Sequence, residues 1–387
     1  PIAGTSSALE VGSFQWIPLS NKLVYASDEV VSGEQNLYYY DATTQLERVR
    51  VNDVLPTNAD VNANYTLSAN GRWLAYTSDE IVNDEIRLFL VDVSGATPSA
   101  PILFSGPFDD DGDVSTFSGR LAFSPNADQL AFVGDADNQG DEVYARSVRN
   151  FDIGRRRISP ELATDALDSN GFRWSPDSRR LAVRGDYFTN ALIELYLLDV
   201  EIPELVLVAS GSARDASDVE VIGDTFAWSP NADYVVFEYD GVTSGRDEPF
   251  LTFLAQPQSP IRLFANGIED DVQRVKLSDD GSLLYSIVDF AGASVTELFV
   301  TEIDAGVTTT PTPVHPSPLG AVQDALEDFF LLAEGRSVAY ISDEVTVNVN
   351  EAYIRDIMMG PLPGPAVRIH NPLPPGGNVA RVRVQGE

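Results

Sequence analysis

A short phrase recurs seven times along this chain, an apolar six-residue stretch closing on aspartate: LVYASD (23–28), LAYTSD (74–79), LAFVGD (130–135), LAVRGD (181–186), VVFEYD (235–240), LYSIVD (284–289) and VAYISD (338–343). The closing residues are Asp28, Asp79, Asp135, Asp186, Asp240, Asp289 and Asp343, spaced 51, 56, 51, 54, 49 and 54 apart. A period near fifty means one supersecondary unit repeated around an axis or along a line, so a chain of 387 residues is committed to repetition before any other feature is weighed.

Each copy follows another apolar stretch and a tight turn rich in Pro, Asn, Asp and Gly, the residues that supply hairpin backbone angles. Trp16, Trp174 and Trp228 hold one place in that preceding stretch; Leu67, Phe123, Leu277 and Leu332 hold it in the other copies. A third and a fourth strand-like segment follow, as in NLYYYD (36–41) with LERVRVN (46–52). No segment sustains a helical period. Four antiparallel strands per unit and seven units predict an all-β, seven-bladed β-propeller of four-stranded antiparallel blades. A blade packed on both faces explains why the second strands are almost continuously apolar.

The string WSPDSRRLAV (174–183) and its relatives resemble the TolB-type propeller repeat, which is also that of the propellers attached to prolyl-oligopeptidase-like enzymes. The resemblance covers residues 12–371. It implies the fold and, for function, protein docking, substrate gating or scaffolding according to what is attached.

Composition narrows the partners. Lys and Arg number 25 against 59 Asp and Glu, a formal charge of −34. A nucleic-acid reader is basic, and an anionic membrane surface repels such a body. No apolar run is long enough to span a bilayer as a helix. There is no cysteine. The opening PIAGTSSALEV reads as a mature terminus, so an extracytoplasmic location after removal of a signal peptide is expected. No catalytic motif is present: the two histidines, His315 and His370, fall in fourth strands, and neither a nucleophile elbow nor a zinc-binding helix motif occurs. A non-catalytic module is the expectation, with a hydrolase or lyase built from carboxylates as the alternative.

Acidic loops are the candidate sites. The loop leading into each first strand carries Asp60, Asp113, Asp165, Asp218, Asp271 or Asp324, and topology sets these at the same end as the seven repeat aspartates. Two crowns of carboxylate on one face suit a protein or peptide partner; the plainer role is capping of turns by side-chain oxygens. Asp109, Asp111 and Asp113 in one loop, and Asp135, Asp137 and Asp141 in another, have the oxygen-rich spacing that calcium takes, although no cofactor is required and neither loop is an EF-hand.

The supply of first strands is one too many. LEVGSFQWIP (9–18) fills the role for the first blade, and GNVARVRVQ (377–385) fits it again after the propeller's residues 1–371. Residues 372–387 are read as a Pro/Gly-rich lead and an extra C-terminal strand. Val379, Arg381 and Arg383 alternate with Ala380, Val382 and Val384, so one face is basic and the other apolar. The strand clasps its own blade, leads into a further segment, or pairs with another copy; the last builds a homopolymer or filament by strand exchange.

Overall fold

The structure is a computed structural model that describes residues 11–44, 47–108, 112–117, 119–135, 140–159, 167–185, 194–201, 205–210, 226–239, 248–263, 271–290, 295–304, 307–308, 310–315, 325–345, 348–357, 364–373 and 379–380. Among them there is no helix, and so none long and apolar enough to cross a membrane. Seven antiparallel sheets follow one another along the chain, each hydrogen-bonded in sequence order.

Sheet 1 comprises Val11–Trp16, Lys22–Ser27, Asn36–Asp41 and Val49–Arg50; sheet 2, Val61–Leu67, Trp73–Ser78, Arg87–Asp92 and Ile102–Leu103; sheet 3, Leu121–Phe123, Gln129–Gly134, Glu142–Ser147 and Arg156–Arg157. Sheet 4 comprises Leu167–Trp174, Arg180–Gly185, Glu194–Asp199 and Leu205–Ser210; sheet 5, Phe226–Trp228, Tyr234–Tyr239, Glu248–Phe253 and Ile261–Arg262. Sheet 6 comprises Asp271–Leu277, Leu283–Phe290, Val295–Asp304 and Thr312–Pro313, with Val307–Thr308 as an added strand on the third; sheet 7, Ala325–Leu332, Ser337–Ser342, Glu351–Asp356 and Val367–Arg368. The fold class is the seven-bladed β-propeller. The fourth strands are shorter than the sequence suggests, two residues in sheets 1, 2, 3, 5, 6 and 7, because prolines and polar residues flank them and few backbone partners remain at the outer edge.

The chain divides into two compact units, residues 1–191 with 195–206, and residues 192–194 with 207–387. In the first, Val24, Leu37 and Tyr39 of sheet 1 pack with Leu74, Tyr76 and Phe89 of sheet 2, and Phe104 of sheet 2 packs with Leu130 and Phe132 of sheet 3. In the second, Val236 and Leu251 of sheet 5 meet Leu284 and Val288 of sheet 6, and Tyr285 and Leu298 of sheet 6 meet Val338 and Tyr340 of sheet 7. Second strands are therefore sandwiched, which is why Trp73–Ser78 is buried at every position rather than at alternate ones.

The register answers the Trp/Leu pattern of the sequence. Trp16, Leu67, Phe123, Trp174, Trp228, Leu277 and Leu332 each end a first strand and lie opposite Leu23, Leu74, Leu130, Leu181, Val235, Leu284 and Ser337 of the second. A serine follows in five sheets, Ser68, Ser124, Ser175, Ser229 and Ser278, all buried. Each hydroxyl accepts a hydrogen bond from the amide five residues on, at 2.8–3.0 Å in all five (Trp73, Gln129, Arg180, Tyr234 and Leu283). Three residues after the serine the backbone is left-handed, at Gly71, Ala127, Ser178, Ala232 and Gly281.

These turns stack from sheet to sheet within a unit. A Cβ on Gly71 would lie 2.2 Å from the Pro18 carbonyl oxygen, and one on Gly335, at φ +80°, would lie 2.4 Å from the Ser278 Cβ. Gly335→Ala is expected to lose about 2 kcal/mol in urea denaturation, the sum of a positive-φ cost and overpacking against a neighbouring turn. Stability equal to the unsubstituted chain would show that the two turns are not in contact.

Candidate functional site

Each sheet has two unlike ends. The first–second and third–fourth connections make a turn end. The second–third connection, with the segment leading into the first strand, makes a loop end.

The described repeat aspartates lie at the loop end, and three of them are used by backbone; Asp186 and Asp240 lie outside the described residues. Asp28, Asp79 and Asp343 each accept a hydrogen bond from the amide five residues on, that of Gly33 (3.0 Å), Asp84 (3.1 Å) and Asn348 (2.7 Å). Two of the leading aspartates tie adjoining sheets together. Asp60 Oδ1 accepts from the Gln35 amide of sheet 1 at 2.7 Å, and Asp113 Oδ1 accepts from the Ile86 amide of sheet 2 at 2.7 Å. Asp79 in turn accepts from the Asp60 amide at 2.6 Å. Leading and repeat aspartates also meet through backbone, the Asp135 amide donating to the Asp113 carbonyl and Asp271 lying opposite Asp289. A carboxylate here satisfies amides that loop geometry would otherwise strand. Burial pushes the Asp113 carboxyl above its usual range, partly offset by the Ile86 amide and by Arg87.

The two loops with calcium-like spacing are only partly described. Asp141 forms an ion pair with Arg120, and Asp113 lies 3.5 Å from Arg87 besides its bond to Ile86. A calcium ion would have to displace those partners. No group of three or more metal-ligating side chains occurs among the described residues. Asp109, Asp111, Asp137, Asp165, Asp218 and Asp324 lie outside them, as do Arg381, Val382, Arg383 and Val384 and most of the expected C-terminal strand. Val379 is described: its amide donates to the Asn350 carbonyl at 2.9 Å, at the loop end of sheet 7. The N-terminal claimant forms the first strand of sheet 1, Val11–Trp16, with Phe14 and Trp16 exposed.

Two sets of glutamates, buried at Glu29, Glu80, Glu142 and Glu351 and half-buried at Glu344, escape a reading by motif alone. In one, a second-strand tyrosine bonds the glutamate that follows the repeat aspartate: Tyr25 with Glu29 (3.4 Å), Tyr76 with Glu80 (3.1 Å) and Tyr340 with Glu344 (3.0 Å). Arg48 pairs with Glu29. In the other, a glutamate opening the third strand is held by the tyrosine two residues on and an arginine from the fourth: Glu142 with Tyr144 and Arg157, Glu351 with Tyr353 (2.8 Å) and Arg368 (2.7 Å). The signal was present as Y-x-S-D-E at 25–29, 76–80 and 340–344 and as E-x-Y at 142–144 and 351–353.

At the turn end of the second unit, sheets 5 and 6 leave a cavity of about 760 Å³ between them. Tyr234, Phe253, Ile261 and Ile303 form its apolar lining; Asp233 and Asp280 stand at its rim.

No protein-family model matches the chain, and no curated protein matches it. Solved structures do. Dipeptidyl peptidase 4 of Porphyromonas gingivalis is 14% identical over 92% of this chain and 52% of its own, with a TM-score of 0.54. This likeness is one of fold. TolB of Acinetobacter baumannii is 16% identical over 90% of this chain and 77% of its own, at a TM-score of 0.34. A prolyl endopeptidase is 12% identical over 95% of this chain and 51% of its own, at 0.45. These are the two groups whose repeat the string at 174–183 resembles. The chain spans about half the length of the peptidases it matches.

Proposed function

We propose that this chain is a non-catalytic interaction module that works outside the cytoplasm and associates with copies of itself through its C-terminal segment. One observation supports this above the rest. Val379 is tied to the loop end of sheet 7 by a backbone hydrogen bond to Asn350, so the Arg/Val alternation at 381–384 follows two residues after a described anchor on a body of formal charge −34. A basic, apolar-faced strand of that kind is attracted to a second acidic body and gains backbone hydrogen bonds there, each contributing roughly 0.5–1.5 kcal/mol.

The rival docking site, a crown of free carboxylates, is weakened by the roles of Asp60 and Asp113, whose oxygens already hold backbone amides. A carboxylate hydrolase or lyase meets the same objection at those residues.

The test is light scattering on the full chain across a range of concentrations, beside the Arg381→Glu/Arg383→Glu variant. The unsubstituted chain is expected to grow in mean mass with concentration and the variant to stay at the mass of one chain. Growth that is the same in both would remove the tail from the mechanism.

A further inference from the structure

The cavity between sheets 5 and 6 lies at the opposite end of the sheets from the point where the tail leaves. Its lining comes from three turns: Asn231 and Asp233 from the first hairpin of sheet 5, Leu254 to Ser259 from its third–fourth connection, and Asp280 to Ser282 from the first hairpin of sheet 6. Sheet 7 shares this end. Its Gly335 turn stacks on Ser278, the Tyr285 hydroxyl donates to the Gly335 carbonyl at 2.5 Å, and Arg336 pairs with Asp280 at 2.6 Å. From that turn the second strand of sheet 7, Ser337–Ser342, runs to the loop end, where Asn350 holds Val379.

The chemistry of the cavity is specific in sign. Its floor is aromatic and aliphatic, with Tyr234 and Ile303 buried and Phe253 and Ile261 half-buried. Among the described residues its charged lining is acidic, Asp233 and Asp280, with no lysine or arginine. Asp280 is engaged by Ser278, Ser282 and Arg336, and these hold its carboxyl well below the usual carboxylate range, chiefly through the Ser282 amide. Asp233 is different. Its side chain accepts only the Asn231 amide nitrogen, at 2.6 Å, and among the described residues no cation faces it. A cavity with an apolar floor and an unneutralised carboxylate at the rim fits a guanidinium or ammonium group carried on an apolar backbone segment.

We infer that this cavity is the acceptor for the Arg/Val segment, residues 381–384, of a second copy of the chain. The occupant is argued from charge and from reach. The segment is the chain's own alternation of arginine with valine, basic on one face and apolar on the other. It does not come from the same molecule. Arg381 lies two residues beyond Val379, at most about 7 Å of extended chain. The six-residue strand between the loop end and the turn end is about 20 Å long. A donor at one end and an acceptor at the other make the contact heterologous, so each added copy presents a new free acceptor and growth is head-to-tail.

This inference rests on the self-association proposed above and names the surface that receives the tail. The experiment separates the two. Light scattering compares the full chain, its Asp233→Lys variant, an Asp41→Lys control, and the full chain with excess synthetic peptide of residues 378–385. Asp233 is exposed on a hairpin of sheet 5, and Asp41 ends the third strand of sheet 1 and is not among the residues that line the cavity. Asp233→Lys is expected to raise the concentration needed for association at least tenfold, Asp41→Lys to leave it unchanged, and the peptide to cap the acceptor and lower the mean mass. Association of Asp233→Lys equal to that of the unsubstituted chain overturns this acceptor while leaving tail-mediated assembly in place. A full chain that stays at the mass of one copy at every concentration overturns both.

Discussion

Arg368→Met is expected to destabilise the protein by about 3 kcal/mol at pH 7, toward the lower end of what removing one partner of a buried ion pair costs because the arginine is partly exposed. The cost lies in what stays behind. Glu351 is 4% exposed, and its carboxylate has two partners, the Tyr353 hydroxyl at 2.8 Å and Arg368 at 2.7 Å. Methionine keeps much of the side-chain volume and removes the charge, so a carboxylate is left buried beside a single hydroxyl. Burial alone would raise the pKa of Glu351; Tyr353 and Arg368 outweigh it and hold the group below its ordinary 4.5. The stabilisation these partners give is therefore complete above the unfolded value and is lost as pH falls through the lower folded one. Urea denaturation should show a wide gap between variant and unsubstituted chain at pH 7 that narrows below about pH 4. A gap that is constant across that range would mean the arginine acts through packing of its aliphatic stem rather than through charge.

The seven-fold repeat, the strand order and the pairing of the Trp/Leu positions were all legible in the sequence, because each depends on residues close along the chain. Trp16 and Leu23 are joined by one hairpin, and a hairpin's register follows from its turn. The acidic positions were legible as positions. Capping of backbone amides was legible as their plainer role; which amides they cap was not, because Asp60 caps Gln35 and Asp113 caps Ile86 in the preceding sheet, and only three-dimensional stacking brings those amides within reach. The Glu351–Arg368 and Glu142–Arg157 pairs were hidden for a related reason. The partners sit 17 and 15 residues apart on neighbouring strands, and the glutamates are buried, against the ordinary expectation for charged residues. The cavity was invisible to any reading along the chain, since its lining is drawn from three separate turns of two sheets.

Glu80→Gln should act in the opposite direction and stabilise the protein at alkaline pH. Glu80 is 7% exposed and accepts the Tyr76 hydroxyl with both oxygens, at 3.1 and 3.2 Å. Unlike Glu29, which has Arg48, it has no arginine in contact among the described residues; the Asp53 carboxylate adds to its difficulty, while the Asp53 amide and Arg50 ease it. Burial, more than Tyr76 can offset, pushes its pKa from 4.5 up to about 7. A group whose folded value is raised contributes fully below its unfolded value and loses that contribution as pH rises through the folded one. Between about pH 4.5 and pH 7 the fold thus pays progressively for a charge it does not accommodate, to a limit of about 3 kcal/mol. Glutamine keeps the shape and an oxygen for Tyr76, and it has no proton to lose. The variant and the unsubstituted chain are expected to be equally stable near pH 4 and to diverge above it, with the variant about 3 kcal/mol more stable at pH 8. The comparison must be made as a difference between the two chains, because the remaining acidic residues repel one another more as pH rises and impose the same slope on both. Parallel stability curves from pH 5 to pH 8 would show that Glu80 is ionised in the fold at the lower pH and that its burial is compensated by a neighbour other than Tyr76.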